Sequence, residues 1–270
     1  MRIQRRIAAL AISACAALAL AAPVAQGWAP ADSANVRPGN MTFTDGAQCT
    51  SNFVFSDGAT TYIGQAAHCS GTGGATETNG CDSGSLPLGT KVEVDGASQP
   101  GTLVYNSWIA MQSAGETNAN ACEYNDFALI RLEPGDAAAT NPTIPFWGGP
   151  TGVATTTSTG DKVLSYGNSS LRAGITELSP KEGASLGTEG GGWSHSVYTA
   201  TPGIPGDSGS AFIDRQGRAI GTLSTVQLAP KAGSNGVSDI SHEVAYMHSH
   251  GGPNANIVNG TEPFGGPLLP

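Results

Sequence analysis

The segment Gly203-Ile204-Pro205-Gly206-Asp207-Ser208-Gly209-Ser210 encloses the core Gly206-Asp207-Ser208-Gly209. A serine hydroxyl is a poor nucleophile at neutral pH. It needs a base within hydrogen-bond reach and a carboxylate to orient that base. Two upstream segments carry such groups, Ala66-Ala67-His68-Cys69 and Asn125-Asp126-Phe127-Ala128-Leu129-Ile130. His68 as base, Asp126 as orienting carboxylate and Ser208 as nucleophile form a candidate set for acyl transfer. Taken singly, each has a plain structural reading: a turn at Gly206, a core histidine, an aspartate at a strand edge. Their conjunction points to chemistry.

The chain order His, Asp, Ser, together with these flanking residues, resembles the secreted bacterial type of chymotrypsin-like (trypsin-fold) serine endopeptidases. The resemblance covers about residues 45 to 250. It implies an all-β fold of two consecutive antiparallel six-stranded β-barrels with a C-terminal helix. It also implies a peptide or protein substrate, an acyl-enzyme intermediate, and neither cofactor nor metal. The backbone N–H groups of Gly206 and Ser208 match the family's oxyanion hole. Glycine at 206 lets its N–H turn inward at a bend that a Cβ would obstruct. In the family the side chain at Asp207 is neutralised by a buried cation, for which Lys162 and Arg172 are both candidates.

Specificity is read from the same resemblance. The family's primary specificity position, six residues before the nucleophile, falls on Pro202, which has no carboxylate to attract Lys or Arg. The strand that pairs with the substrate backbone aligns with Ser224-Thr225-Val226. Val226 stands where glycine would leave the pocket open, which implies cleavage after small or medium apolar residues. His195 does not match the histidine of glutamate-specific relatives and reads as a surface or core residue. His242, His248 and His250 read as helix-end histidines rather than a metal cluster. Two other functions compete. A catalytically silent binding protein on the same fold is disfavoured by the intact His68, Asp126, Ser208 and Gly206. A serine esterase of another fold is disfavoured because Gly-x-Ser-x-Gly is absent at this serine.

Short apolar runs punctuated by turn residues must position these groups. Phe53–Phe55, Thr60–Ile63, Lys91–Val94, Thr102–Tyr105 and Phe127–Leu132 read as strands of a first barrel, residues 45–140. Asp57-Gly58 and Asp95-Gly96 are hairpin signals. Glu133-Pro134-Gly135-Asp136 ends the pattern. A second barrel, residues 141–250, would use Asp161–Gly167, Gly192–Thr201, Ser210–Ile213 and Ala219–Ser224, with residues 181–192 as a Gly-rich loop. Ser238–His248 reads as the one helix of any length, packing through Val244, Ala245, Met247 and His248. Residues 28–44 read as a pro-segment or flexible mature N-terminus, and 251–270 as a flexible Gly/Pro-rich tail. Within that tail, Ile257-Val258-Asn259-Gly260 looks like the activated terminus of a zymogen, but it follows the serine and cannot serve that role.

A basic start, Met1-Arg2-Ile3-Gln4-Arg5-Arg6, then an Ala/Leu-rich stretch and small residues near Gly27, read as a signal peptide over residues 1–27. The formal charge of the 270 residues is −9. Removing the leader takes three arginines and no acids, leaving nine bases against 21 acids and a charge of −12. An acidic chain argues against nucleic-acid or anionic-membrane partners, which need basic surface. After signal removal a secreted monomer free of the membrane is expected. Cys49, Cys69, Cys81 and Cys122 then remain, an even number that reads as two disulfides. Sequence permits three pairings. The family resemblance favours Cys49–Cys69, which leaves Cys81–Cys122. No Cys-x2-Cys spacing suggests zinc.

Overall fold

The computed structural model describes residues 27–74, 78–229 and 231–268. The expected signal peptide lies, except for Gly27, outside the described residues. In the first half the chain forms β1 (Met41–Thr44), β2 (Ala47–Thr50), β3 (Val54–Ser56), β4 (Thr61–Gln65), β5 (Lys91–Val94), β6 (Gly101–Asn106) and β7 (Ala128–Arg131). β5 shows the period of two in its simplest form, with Val92 and Val94 buried and Lys91 and Glu93 exposed. The β1–β2 hairpin turns on Asp45-Gly46, both at positive φ, as a two-residue turn matched to strand twist requires.

The second half comprises β8 (Lys162–Tyr166), β9 (Pro180–Glu189), β10 (Ser194–Thr199), β11 (Ala211–Asp214), β12 (Ala219–Gln227) and β13 (Ser234–Asp239). A last short strand, β14 (Asn256–Ile257), returns to the first half. The first sheet runs β14-β3-β4-β7-β6-β5-β1-β2, and the second closes as a six-stranded barrel, β10-β13-β12-β11-β8-β9. The named strand pairs are antiparallel. The expected all-β architecture is therefore present, with one closed barrel and one open, eight-stranded sheet.

Each half has its own apolar interior. Ile63, Val92, Val94, Leu103 and Ile130 fill the first, and Val163, Val197, Phe212, Ile220 and Val237 the second. A third cluster joins the two halves: Phe53, Phe55 and Phe127 meet Trp147, Leu164, Ile213, and Ile240 and Met247 of the terminal helix. The site lies over this junction.

Four expectations need correction. Residues 181–192 are not a loop, because β9 spans Pro180–Glu189. Its Gly183 lets β10 cross so closely that a Cβ there would stand 1.9 Å from the Tyr198 carbonyl oxygen. The terminal helix is not alone. α1 (Ser107–Ala114), α2 (Ala119–Tyr124) and α3 (Pro134–Ala138) precede α4 (Ile240–Ser249). Asn106 and Asn118 cap α1 and α2 by accepting backbone N–H bonds. α4 buries Ile240, Glu243, Tyr246 and the expected Met247; the expected Val244 is half-buried against the shared cluster, whereas Ala245 and His248 are exposed. Residues 28–44 are built into the first half, with Val36 fully buried among its apolar residues and β1 in its sheet. The described part of the tail, 251–268, is likewise fixed: β14 pairs with β3, Val258 N–H donates to Val54 O, and Gly260 N–H to Pro150 O. Ile257 and Val258 thus complete a sheet instead of forming a terminus.

Candidate active site

His68 sits on a short 3-10 helix, Ala67–Ser70, directly after β4. The disulfide Cys49–Cys69 ties that turn to β2. Asp126 follows α2 and precedes β7, and the disulfide Cys81–Cys122 anchors α2 to the chain around Gly80. The two side chains meet tightly: His68 Nδ1 lies 2.6 Å from Asp126 Oδ2, and the His68 backbone N–H donates to Asp126 Oδ1 at 2.9 Å. Ser224 Oγ on β12 adds a third bond to the carboxylate, 2.6 Å from Oδ2. Burial pushes the Asp126 carboxyl up, but the His68 charge and the bonds from His68 and Ser224 outweigh it and hold the group below its ordinary value. Burial pulls the His68 ring down. The Asp126 charge and hydrogen bond outweigh this, and the imidazole lies above its ordinary value.

Ser208 stands on the turn between β10 and β11. β2 holds this turn from behind: Thr50 N–H donates to Ser208 O at 2.8 Å, and Thr50 Oγ1 and Gln48 Nε2 donate to Gly206 O at 2.8 and 2.9 Å. Gly206 has φ +94°, and a Cβ there would stand 2.3 Å from Gln48 Oε1, so glycine is required on both counts. Among the described residues the N–H groups of Gly206 and Ser208 donate to no protein acceptor, which leaves both available. His68, Asp126, Gly206 and Ser208 line one cleft of about 800 Å³, together with Ser224, Thr225 and Val226. Ser208 Oγ and His68 make no hydrogen bond among the described residues. Such contacts are often long without substrate and tighten in the complex.

Asp207 is fully buried behind the turn. Its Oδ2 meets Arg172 Nη2 at 2.5 Å and Lys181 Nζ at 3.0 Å, and accepts the Ile204 N–H; Oδ1 accepts the Ser169 N–H. Of the two expected cations Arg172 is at the carboxylate, whereas Lys162 pairs with Glu182 at 3.3 Å. Lys181, a cation the sequence does not mark because glycines disguise its strand, pairs in β9 in register with Ser165 of β8. Burial pulls the Lys181 ammonium down, Asp207 only partly restores it, and the Arg172 charge adds to the lowering.

Other expectations sort differently. Pro202 does not line the cleft; its carbonyl oxygen accepts from Arg172 Nη2 at 3.1 Å, which places it among the supports of Asp207. Ser224 lines the cleft, but its hydroxyl is engaged by Asp126. Val226 is 56 % exposed at the cleft edge rather than plugging it. His195 is a core residue, 2.8 Å from Asp239 and bonded to Thr157 and Thr188. His242 bonds Asp239, His248 the Ala255 carbonyl, and His250 the Tyr246 carbonyl, so the three take separate partners. Cys49, His68 and Cys69 come close together, but the two sulfurs are joined to each other. Sequence reasoning missed Glu243, whose Oε1 accepts the Asp126 N–H at 3.2 Å. Only its placement in a C-terminal helix hinted at it.

A family model described as a trypsin-like peptidase domain matches residues 49–221. No curated protein matches the sequence. Several solved structures share the fold. Protease A of Thermobifida fusca is 16% identical, with 83% of this chain and 99% of that chain covered and a TM-score of 0.53. A chymotrypsin of Cellulomonas bogoriensis is 15% identical, with 83% and 98% covered and a TM-score of 0.51. A glutamic acid-specific serine protease, described as using a novel histidine triad in substrate binding, is 17% identical, with 83% and 100% covered and a TM-score of 0.53.

Proposed function

The chain belongs to the family of trypsin-like peptidase domains, and from that membership we propose that this serine endopeptidase acts outside the cytoplasm through His68, Asp126 and Ser208. The carrying observation is the 2.6 Å contact of His68 with a buried Asp126 in the cleft that also holds Ser208. Ser208 Oγ attacks the scissile carbonyl as His68 takes its proton. Asp126 holds the ring tautomer and stabilises the imidazolium that forms. The proton passes to the leaving amine, and water then releases the acyl group from Ser208 by the same steps reversed. The free N–H groups of Gly206 and Ser208 stabilise the oxyanion, each such donor being worth about 3 kcal/mol in related chemistry.

We also propose cleavage after small or medium apolar residues. Leu223, Thr225, Val226 and Gln227 of β12 face Ser194, Gly236 and Ser238 in the cleft, and none of these carries a charge. Glu123 lines the same cleft from α2. A Lys or Arg side chain buried among those β10, β12 and β13 residues would find no charged partner in them, at a cost of several kcal/mol, about 2–7 on transfer scales for polar groups alone. Two disulfides suit an oxidising compartment. No helix among the described residues is long and apolar enough to cross a membrane.

The test is fluorophosphonate labelling with peptide mapping, followed by a cleavage profile on a peptide library. Label on Ser208, its loss in Ser208→Ala, and preference for Ala or Val over Lys before the cut are expected. A folded wild-type chain that takes no label would return the reading to a silent binding protein on this fold. A Lys or Arg preference would overturn the specificity alone.

A further inference from the structure

Glu243 is a carboxyl with no exposed surface that the proposed reaction does not use. It lies on α4, in the junction between the two halves. Its Oε1 accepts the Asp126 backbone N–H at 3.2 Å, and its Oε2 is 3.1 Å from Thr222 Oγ1 on β12. Thr222 Oγ1 is in turn 3.3 Å from Asn52 Nδ2, whose Oδ1 accepts the Phe53 N–H. One side chain thus ties the terminal helix to the residue carrying the orienting carboxylate and to the strand whose Ser224 bonds that carboxylate.

We propose that Glu243 is a positioning residue, which grips the Asp126 peptide from behind and keeps its carboxylate in register with His68. The proposal rests on the assignment of His68, Asp126 and Ser208 above and adds a fourth group to it. The titratable groups facing Glu243 are Asp126 from the loop before β7, Asp239 at the start of α4 and Tyr105 from β6; none is a cation. Burial pushes the Glu243 carboxyl well up, and the Asp126 and Asp239 charges push it the same way. Glu243 Oε1 accepts from the Asp126 N–H and Oε2 from the Thr222 hydroxyl, which itself accepts from Asn52 Nδ2. A glutamine keeps the acceptor for the Asp126 N–H and, with the Thr222 hydroxyl rotated, donates its amide to Thr222 Oγ1 in place of the bond that Thr222 makes to Oε2.

The test compares the full-length wild type with Glu243→Ala, Glu243→Gln and Thr222→Val. The pH titration of the His68 ring by NMR is the first readout and needs no turnover. Steady-state kcat and KM on a chromogenic peptide are the second. Releasing Asp126 weakens the interaction that raises His68. Glu243→Ala is therefore expected to move the His68 midpoint down, and to lower kcat about 10–100-fold with KM nearly unchanged. Glu243→Gln restores both. An unmoved His68 midpoint in folded Glu243→Ala, or a glutamine variant as impaired as the alanine one, overturns the proposal. Should Glu243→Ala not fold, Thr222→Val decides: it removes the hydroxyl that bonds Oε2, and with it the acceptor of Asn52 Nδ2, and should shift the midpoint the same way by less, whereas no shift overturns the proposal. A wild type inert to peptide and label sinks the catalytic reading, while the His68 titration still decides the role of Glu243.

Discussion

Asp207 has no exposed surface and sits between two cations, Arg172 Nη2 at 2.5 Å and Lys181 Nζ at 3.0 Å. One carboxylate cannot satisfy two buried positive charges equally, and the strain falls on Lys181, the group that can shed its proton. Because its folded value is depressed, Lys181 binds less proton in the native state. Stability therefore rises with pH between that folded value and the unfolded one near 10.5. Either cation alone still pairs Asp207, so Lys181→Met and Arg172→Met should each cost about 1–2 kcal/mol. The double variant leaves a buried carboxylate unpaired, and its loss should exceed the sum of the single losses by about 1–3 kcal/mol. Urea unfolding of the three variants measures this. Additive losses would mean that Asp207 draws its compensation from backbone N–H groups instead. Lys181→Met should also abolish the rise of stability toward alkaline pH.

At the scale of elements, the insert between β6 and β7 does most to hold His68 and Asp126 together. Asn106 ends β6 and caps α1, its Oδ1 accepting from Trp108 N–H and Ile109 N–H, while its Nδ2 donates to the Ala67 carbonyl beside His68. Ser107 Oγ donates to Asn125 O, next to Asp126. Asn106→Ala should cost about 2 kcal/mol, roughly half from the cap and half from the buried bond. Asn106→Ser keeps a cap acceptor but loses the donor to Ala67. It should recover the cap part of the stability while kcat stays low; full recovery of kcat would show that the Ala67 tether does not position His68. Half-buried strands such as β5 are readable from alternation, and the motifs around His68, Asp126 and Ser208 mark residues that the fold brings to one cleft. Other elements gave weaker signals. α1 is short, and its caps at Asn106 and Gly115 carry more information than its apolar spacing. Asp45-Gly46 announces the β1–β2 hairpin, but in Met41-Thr42-Phe43-Thr44 the usual alternation is inverted, because the buried side of β1 is threonine, Thr42 and Thr44, and Met41 and Phe43 are only half-buried. β9 is masked by its glycines. Lys181 and Glu243 could not be assigned from sequence, because charged residues read as solvated until tertiary packing encloses them.

At the scale of the whole molecule, both ends of the described chain are sewn to the connection between the two sheets. Ala29 N–H donates to Thr140 O, and the buried Asn141 Nδ2 donates to both Ala29 O and Thr261 Oγ1. Further on, Gly149 N–H donates to Glu262 O and Gly265 N–H to Trp147 O, and Phe264 packs against the shared apolar cluster. The halves therefore share a core and a strap, and the cleft at their junction inherits its rigidity from both. A chain ending at His250 loses β14 and the contacts of Ala255, Ile257 and Phe264. Burial of three such side chains is worth about 3–6 kcal/mol, a large share of the about 5–15 kcal/mol that holds a typical domain together. For a chain of this size that corresponds to a fall in Tm of about 6–24 °C. No residue of 251–268 lines the cleft, so kcat per titrated site should hold at temperatures where the shortened chain remains folded. Thermal melts paired with active-site titration separate the two effects. An unchanged Tm would mean that the strap adds nothing to the shared core, and an intact Tm with lowered kcat would tie the tail to the cleft instead.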